Sequence, residues 1–307
     1  SLRAVAAGKH VAGARLSRVS DASGNPDALP RYVDLHMHST ASDGAVAPAD
    51  VVAAAQRAGL SAIALTDHDT VDGVAAAQLA GDALGVRVVA GVELSAVDDG
   101  EEIHVLGLHL SHPEHIAAAL DELKEARRDR AKQTVDRLNS LGIPVTLEAV
   151  YAAAGDGAVG RPHIAKALVA GGWARDFREA FDKWLGNGKP ACIEKRTVTF
   201  EEAARLIHEA GGLAVYAHPG GAASRAALEE LAGLGLDAVE VRHPSHTADE
   251  IVRLAALTDE LGLVPSGGSD WHGAPEGYRA LGSMKVSIEW LERQDERVRQ
   301  RAEQPVS

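Results

Sequence analysis

From Tyr32 onward, short apolar runs alternate with stretches in which apolar residues recur at helical spacing. The runs predict strands at Tyr32–Leu35, Ala62–Leu65, Val86–Ala90, Ile103–Leu108, Leu213–Tyr216, Ala238–Val241 and Leu263–Ser266. The helical pattern predicts Pro48–Ala58, Val71–Leu84, Phe200–Ala210, Ala222–Leu234 and Ala248–Leu261. Pro48 stands at an early helical position, while Gly59, Gly211-Gly212 and Gly262 close three of these helices, the asymmetry that helix ends favour. Such alternation predicts an α/β fold whose strands run parallel in a sheet or barrel. Only the turn Val97-Asp98-Asp99-Gly100 separates the third and fourth strands, so these are expected to join without a helix.

The alternation breaks between about Pro113 and Thr197. A long helix, Glu114–Leu141, is followed by shorter helical pieces joined at Gly155-Asp156-Gly157, Gly171-Gly172 and Gly186-Asn187-Gly188. A segment of this length does not read as a loop, and we read it as an inserted, mostly helical subdomain. The expected organisation is a flexible leader over residues 1–30, a barrel built from 31–112 and 198–290, a helical cap over 113–197, and a tail over 291–307. The leader has no apolar core of the kind a secretory signal carries.

Composition narrows the function classes. The 307 residues are 46% hydrophobic and 24% charged, as in an ordinary globular protein. Aromatics make up 4%, so Ala, Val, Leu and Gly must fill the core. The net charge of −13 disfavours general binding of long nucleic acid or an anionic membrane. No apolar run reaches the roughly 18 residues that a membrane span needs. The single cysteine, Cys192, excludes an internal disulfide and a cysteine-based zinc site and suits a reducing compartment, so a cytoplasmic location is expected. No obligate protein partner is evident. What stands out is 14 histidines in an acidic chain.

Their placement is regular. The first strand runs into Asp34-Leu35-His36-Met37-His38 and then Ser42-Asp43-Gly44; the second runs into Thr66-Asp67-His68-Asp69. Gly91-Val92-Glu93 follows the third strand, His104 opens the fourth, Ala217-His218-Pro219-Gly220 follows the fifth, and Gly268-Ser269-Asp270-Trp271-His272 follows the seventh. Strand ends of a parallel barrel share one rim, where active sites are built. His36 and His38 are two apart, as are Asp270 and His272, so in extended backbone each pair points to one side. Six histidines and three carboxylates on one rim require cations, and a set of imidazoles and carboxylates without thiolate suits Mn²⁺, Fe²⁺ or Zn²⁺. Asp34, Asp67 and Asp69 flank these positions and either orient imidazoles or cap strand ends and helices. His10, His109, His112, His115 and His208 lack strand-end placement and read as surface residues.

Together these motifs resemble the polymerase and histidinol phosphatase (PHP) family, over about Tyr32 to Ser287. The resemblance implies a distorted seven-stranded (β/α) barrel with a trinuclear metal centre, Mn²⁺ foremost. It implies one ion on His36, His38, Glu93 and Asp270; a second shared through Glu93 with His104 and His218; and a third on Asp43, His68 and His272. Asp43 replaces a histidine found in some branches and makes the third site harder. Three divalent ions against three carboxylates and one hydroxide leave a double positive charge, which a phosphate dianion would neutralise.

Within the family, Glu125-Ala126-Arg127-Arg128-Asp129-Arg130-Ala131, Gly160-Arg161-Pro162-His163 and Gly188-Lys189-Pro190 resemble bacterial phosphoesterases acting on nucleoside 3′,5′-bisphosphates, whose relatives trim RNA 5′ ends. Arg127, Arg130 and Arg137 share one helix face, and Arg161 opens another helix as a bidentate phosphate donor. Arg127, Arg130, Arg161, Lys189 and His246 are therefore expected to bind substrate. The expected reaction is attack by a metal-bridging hydroxide, held by Glu93, Asp43 and His218, that removes the 3′-phosphate of a small bisphosphate nucleotide. The alternatives are a 5′→3′ exoribonuclease on short RNA, a histidinol-phosphate-type phosphomonoesterase, and a non-catalytic metal-stabilised binding domain.

Overall fold

A computed structural model describes residues 31–155, 159–193 and 198–303. The leader expected over 1–30 lies outside the described residues. The first helix, α1 (Pro48–Arg57), follows β1 (Tyr32–Asp34), starts on its proline and buries Val51, Val52 and Ala55 on one face. Next come β2 (Ala62–Leu65) and α2 (Val74–Leu84), whose last turn closes on Gly85 in the left-handed conformation. β3 (Arg87–Asp98) and β4 (Glu101–Leu108) form the helix-free hairpin expected from its turn residues, and β3 runs well past its predicted end.

After the inserted segment, the strands and helices are β5 (Val198–Thr199), α7 (Phe200–Glu209), β6 (Leu213–Tyr216), α8 (Arg225–Gly233), β7 (Ala238–Arg242), α9 (Ala248–Glu260), β8 (Val264–Gly267), β9 (Val286–Ser287) and α10 (Ile288–Ala302). The sheet order is β8-β7-β6-β4-β3-β2-β1-β9, with β5 on β3. The Leu35 N–H donates to the Gly267 carbonyl at 3.1 Å, and Met37 bridges Trp271, which brings the two ends of the barrel together. Seven strands follow the sequence pattern. The two extra strands among the described residues, β5 and β9, are two residues long, too short for a period to register.

One difference from an all-parallel barrel matters. β4 pairs antiparallel to both β3 and β6. The tight Asp98-Asp99-Gly100 turn leaves no length for a crossover, so β4 must run backwards. Its amino-terminal half therefore meets the rim formed by the carboxyl ends of the other strands.

Period-two alternation builds the interior. Val33 and Leu35, Ala62 and Ala64, Leu106 and Leu108, and Val215 and Ala217 belong to one buried cluster. Small residues fill it, as the scarcity of aromatics requires. Of the residues set apart as a tail, 291–302 belong to α10, where Leu291 and Gln294 are fully buried and the Gln294 amide donates to the Pro265 carbonyl at 3.0 Å.

The inserted segment contains α3 (Pro113–Ser140), α4 (Leu147–Ala154), α5 (Arg161–Ala170) and α6 (Phe177–Ala180), which continues as a π-helical turn, Phe181–Leu185. The first turns of α3 place Ile116 and Leu120 in a cluster with α7 and the sheet. Its last turns place Ala131, Val135 and Leu138 in a separate cluster with Ile164, Leu168 and Leu185. No helix among the described residues is long and apolar enough to cross a membrane.

Candidate metal centre

Alternation at the exit of β1 sends Leu35 and Met37 into the core and His36 and His38 to the opposite side, all four completely buried. Gly268 permits the close approach here, because a Cβ on it would lie 2.4 Å from the backbone nitrogen of His36. Beyond β2, a backbone bridge between His68 and Glu93 brings the second histidine group beside β3. His218 and Asp270 leave their strands with φ of +33° and +51°, a conformation non-glycine residues adopt at a cost. His104 and Ser95 are cross-strand partners, so the reversed direction of β4 delivers His104 to the rim.

Glu93 is the hub. Its Oε2 lies 3.1 Å from Nε2 of both His36 and His38 and 3.5 Å from Nδ1 of His68. Its Oε1 lies 2.7 Å from Nδ1 of His104 and 3.2 Å from Nε2 of His218. Asp270 Oδ1 approaches His36 and His38 at 3.5 and 3.2 Å. Asp43 Oδ1 lies 3.3 Å from Nε2 of His272 and 3.7 Å from His38, while Oδ2 lies 4.0 Å from His68. All nine strand-end residues converge.

The donor set suits divalent cations. Neither ring nitrogen of buried His38, nor Nδ1 of His68, makes a well-aligned hydrogen bond. Their lone pairs instead converge with carboxylate oxygens, an arrangement a cation would satisfy. Three groups of ligand atoms stand out within this cluster: His36, His38, Glu93 and Asp270; His38, Asp43, His68 and His272; and His68, Glu93 and His104.

Electrostatics show how tightly the groups couple. Burial opposes charge on His38, but contacts with Asp270 and Glu93 outweigh it and hold its pKa up at about 9. Burial is likewise outweighed at His104, which Glu102 and Glu93 hold at about 9. At His68 burial prevails over the attraction of Glu93 and pulls the pKa down to about 4. Glu93 itself stays well below the carboxylate range, because the surrounding imidazoles outweigh its complete burial.

Three supporting residues were not singled out from the sequence. Buried Glu240 on β7 meets His36 Nδ1 with Oε1 at 3.0 Å, and its Oε2 accepts the His218 backbone N–H at 2.7 Å. His243 Nε2 lies 3.4 Å from Asp270 Oδ2, and Arg279 forms an ion pair with the same oxygen. Glu240 carried a readable signal: a lone carboxylate between Val239 and Val241 in a buried strand.

The flanking aspartates hold loops and helix α3 rather than imidazoles. Asp34 accepts N–H bonds from Ser269 and Gly282 at 2.9 and 2.8 Å. Asp67 binds Ser39 and the Ser42 hydroxyl, each at 2.7 Å. Asp69 pairs with Arg127. Nor are all of the remaining histidines on the surface. The His109 side chain is largely covered, with Nε2 3.1 Å from Gln294 Oε1, and that of His208 is partly covered, with Nε2 2.8 Å from Asp237.

A cleft of about 230 Å³ opens from the centre toward the inserted segment. The barrel contributes Asp43, His68, Glu102 and His104 to its lining, and the inserted segment contributes the facing wall of Arg127, Arg130, Arg161 and His163. Arg127 is held by Asp69 and reaches the Ser95 hydroxyl at 3.4 Å. Arg161, the first residue of α5, donates to Asn187 Oδ1 at 2.9 Å. Burial, with Arg127 and Arg161 adding to it, lowers the pKa of Arg130 to about 10. Three guanidinium groups thus face one space.

Two expected substrate contacts are placed elsewhere. Lys189 is exposed in a turn after the π-helical segment, its N–H bonded to the Gly186 carbonyl, and it does not line the cleft. His246 is buried with both nitrogens engaged: Nδ1 donates to the Val241 carbonyl at 3.0 Å, and Nε2 accepts the Gly220 N–H at 3.1 Å. No nitrogen is left for a phosphate, so His246 fastens two loops.

The chain is similar to known proteins in sequence and in fold. A profile of the PHP domain matches residues 34–189. A 5′-3′ exoribonuclease from Haemophilus influenzae is 37% identical over 261 residues, covering 83% of this chain and 94% of that protein. A 3′,5′-nucleoside bisphosphate phosphatase from Chromobacterium violaceum is 35% identical over 257 residues, covering 81% of this chain and 90% of that protein. A crystal structure from Bifidobacterium adolescentis, assigned provisionally as a metal-dependent phosphoesterase, superposes with a TM-score of 0.76 at 31% identity, covering 87% of this chain and 96% of that one. Barrel and rim together define a phosphoester-hydrolysing enzyme with a metal-dependent phosphoesterase fold. The chain belongs to the PHP domain family.

Proposed function

We propose that this enzyme removes the 3′-phosphate from nucleoside 3′,5′-bisphosphates. The observation that carries the reading is the single cleft with metal-ligating residues on one wall and Arg127, Arg130 and Arg161 on the other. One wall suits the phosphate to be cleaved, and the other suits a second phosphate held apart from it. Similarity to the bisphosphate phosphatase of C. violaceum supports the same substrate class.

The residues that would hold three divalent ions, Mn²⁺ before Fe²⁺ or Zn²⁺, are His36, His38, Glu93 and Asp270 for the first, Glu93, His104 and His218 for the second, and Asp43, His68 and His272 for the third. When bound, such ions make water acidic enough to attack near neutral pH and draw charge from the phosphate. Around them the chain positions and binds. Glu240 orients His36 through Nδ1. Arg130 and Arg161 grip the phosphate that is not cleaved, and that dianion relieves the repulsion among three clustered cations. Arg127, tied to Asp69, contributes fixed charge to the same wall.

The second reading, 5′→3′ trimming of short RNA by the same centre, is favoured by similarity to the exoribonuclease of H. influenzae. The lone Cys192 and acidic composition suit a cytoplasmic enzyme acting on either substrate. Mn²⁺-loaded protein assayed against nucleoside 3′,5′-bisphosphates, 5′-mononucleotides, 5′-phosphorylated short RNA and histidinol phosphate decides among these. The bisphosphates should give the highest kcat/KM, with phosphate and the 5′-mononucleotide as products. A preference for RNA or histidinol phosphate would overturn the reading.

A further inference from the structure

We infer that the π-helical turn of the inserted segment carries a nucleobase subsite, with Phe181 as its stacking face and Phe177 extending it outward. This deepens the bisphosphate reading and rests on it. The chain has only three phenylalanines. Phe200 is buried against the barrel, whereas the other two stand together with ring centroids 5.0 Å apart and planes inclined by 34°. Phe177 leaves 47% of its surface exposed. Phe181 lines the same cleft as Arg130 and Arg161.

The backbone supplies an independent observation. Phe181 opens the π-helical turn, an irregularity that recurs at functional sites. The other end of the turn holds the arginine: Arg161 donates to the Leu185 carbonyl at 3.5 Å and to Asn187 Oδ1 at 2.9 Å. One local distortion therefore fixes an aromatic face and a phosphate-binding cation relative to each other. A nucleotide requires that combination, because its charged phosphate and flat, apolar-faced base are joined by a short sugar. A phosphate ester without a base has no use for the ring. Stacking accepts every base through its π-face, so the subsite recognises nucleotides as a class and selects weakly among bases.

The test compares parent, Phe181→Leu and Phe181→Tyr, all Mn²⁺-loaded, on adenosine 3′,5′-bisphosphate, its base-free counterpart 1-deoxyribose 3,5-bisphosphate, and p-nitrophenyl phosphate. Leucine keeps the side chain apolar, and circular dichroism with metal content confirms that fold and centre are intact. For Phe181→Leu, kcat/KM on the adenosine compound should fall about 5- to 100-fold. The base-free compound and the activated ester should change less than about twofold, and Phe181→Tyr should restore the loss. An unchanged rate on the adenosine compound, or equal losses on both bisphosphates, overturns the subsite and leaves the bisphosphate reading standing. A parent enzyme that prefers neither bisphosphate to the activated ester overturns that reading and the subsite with it.

Discussion

Glu240 and His36, both wholly buried, meet at 3.0 Å between Oε1 and Nδ1. The contact turns the other ring nitrogen, Nε2, toward Glu93. Because the second Glu240 oxygen anchors the His218 backbone, one carboxylate sets two ligand positions. Glu240→Gln keeps the shape but cannot accept through both atoms. Its metal affinity should fall about 10- to 100-fold in a chelator-competition titration, with the far-ultraviolet circular dichroism of the metal-free protein retained. Unaltered affinity would reduce Glu240 to a packing residue.

Glu93 should be more costly to lose. Its two oxygens face different sets of imidazoles, so a single change disturbs two coordination positions. The parent is expected to carry close to three divalent ions per chain by elemental analysis, and Glu93→Gln should lose metal and turnover by larger factors than His272→Asn. A Glu93→Gln protein with full metal and near-parental turnover would remove Glu93 from the hub.

Arg161→Ala separates grip from chemistry. The arginine lines the cleft but belongs to none of the ligand groups, so hydrolysis of an activated phosphoester should continue at about the parental rate. Efficiency on a 3′,5′-bisphosphate should drop on the order of 10- to 100-fold, the loss of one charge-assisted contact. Steady-state kinetics on the two substrates give the answer, and equal losses would place Arg161 in the chemistry or the fold.

His109 predicts a pH effect remote from the centre. Burial lowers its pKa below 6.5, with Gln294 and Asp295 only partly offsetting it. The folded protein thus resists a proton that the unfolded chain accepts. Stability should fall as pH drops below about 6.5, with a slope from this group of at most about 1.4 kcal/mol per pH unit. His109→Asn should flatten that part of the profile in urea unfolding at several pH values. Asparagine tolerates the positive φ of +61° at this position. An identical profile would assign the dependence to other groups.

Much of the centre was legible because strand ends repeat a simple grammar. An apolar run stops, and the next polar side chains fall on one rim. His36, His38 and Asp270 stand out by their place after apolar runs, and Glu93, which lies within the longer β3, stands out as a carboxylate in an apolar stretch. Glu240 hides inside a strand, and only its unlikeness to Val239 and Val241 marks it. The fate of His246 depends on the Val241 carbonyl and Gly220 N–H, backbone groups that no side-chain pattern announces. Lys189 follows a Gly-Asn-Gly turn whose direction is set by backbone dihedrals, so its distance from the cleft could not be read. Likewise, β5 and β9 exist through pairing with neighbours, not through their own residues.

Helix α3 behaves mechanically as a cantilever. Ile116 and Leu120 clamp its root to the barrel, and Ala131, Val135 and Leu138 carry the load of the inserted segment. Arg127 lies just beyond the clamp, where flexing displaces least, and its tie to Asp69 stiffens the joint. Arg161 and the π-helical turn ride on the far portion, where the same flexing sweeps a larger arc. Of the residues that the inserted segment brings to the cleft, Arg127 is therefore the stiffly held one, and Arg161 with Phe181 the compliantly held pair. Lengthening or reshaping the outer portion can change what fits without disturbing the clamped root.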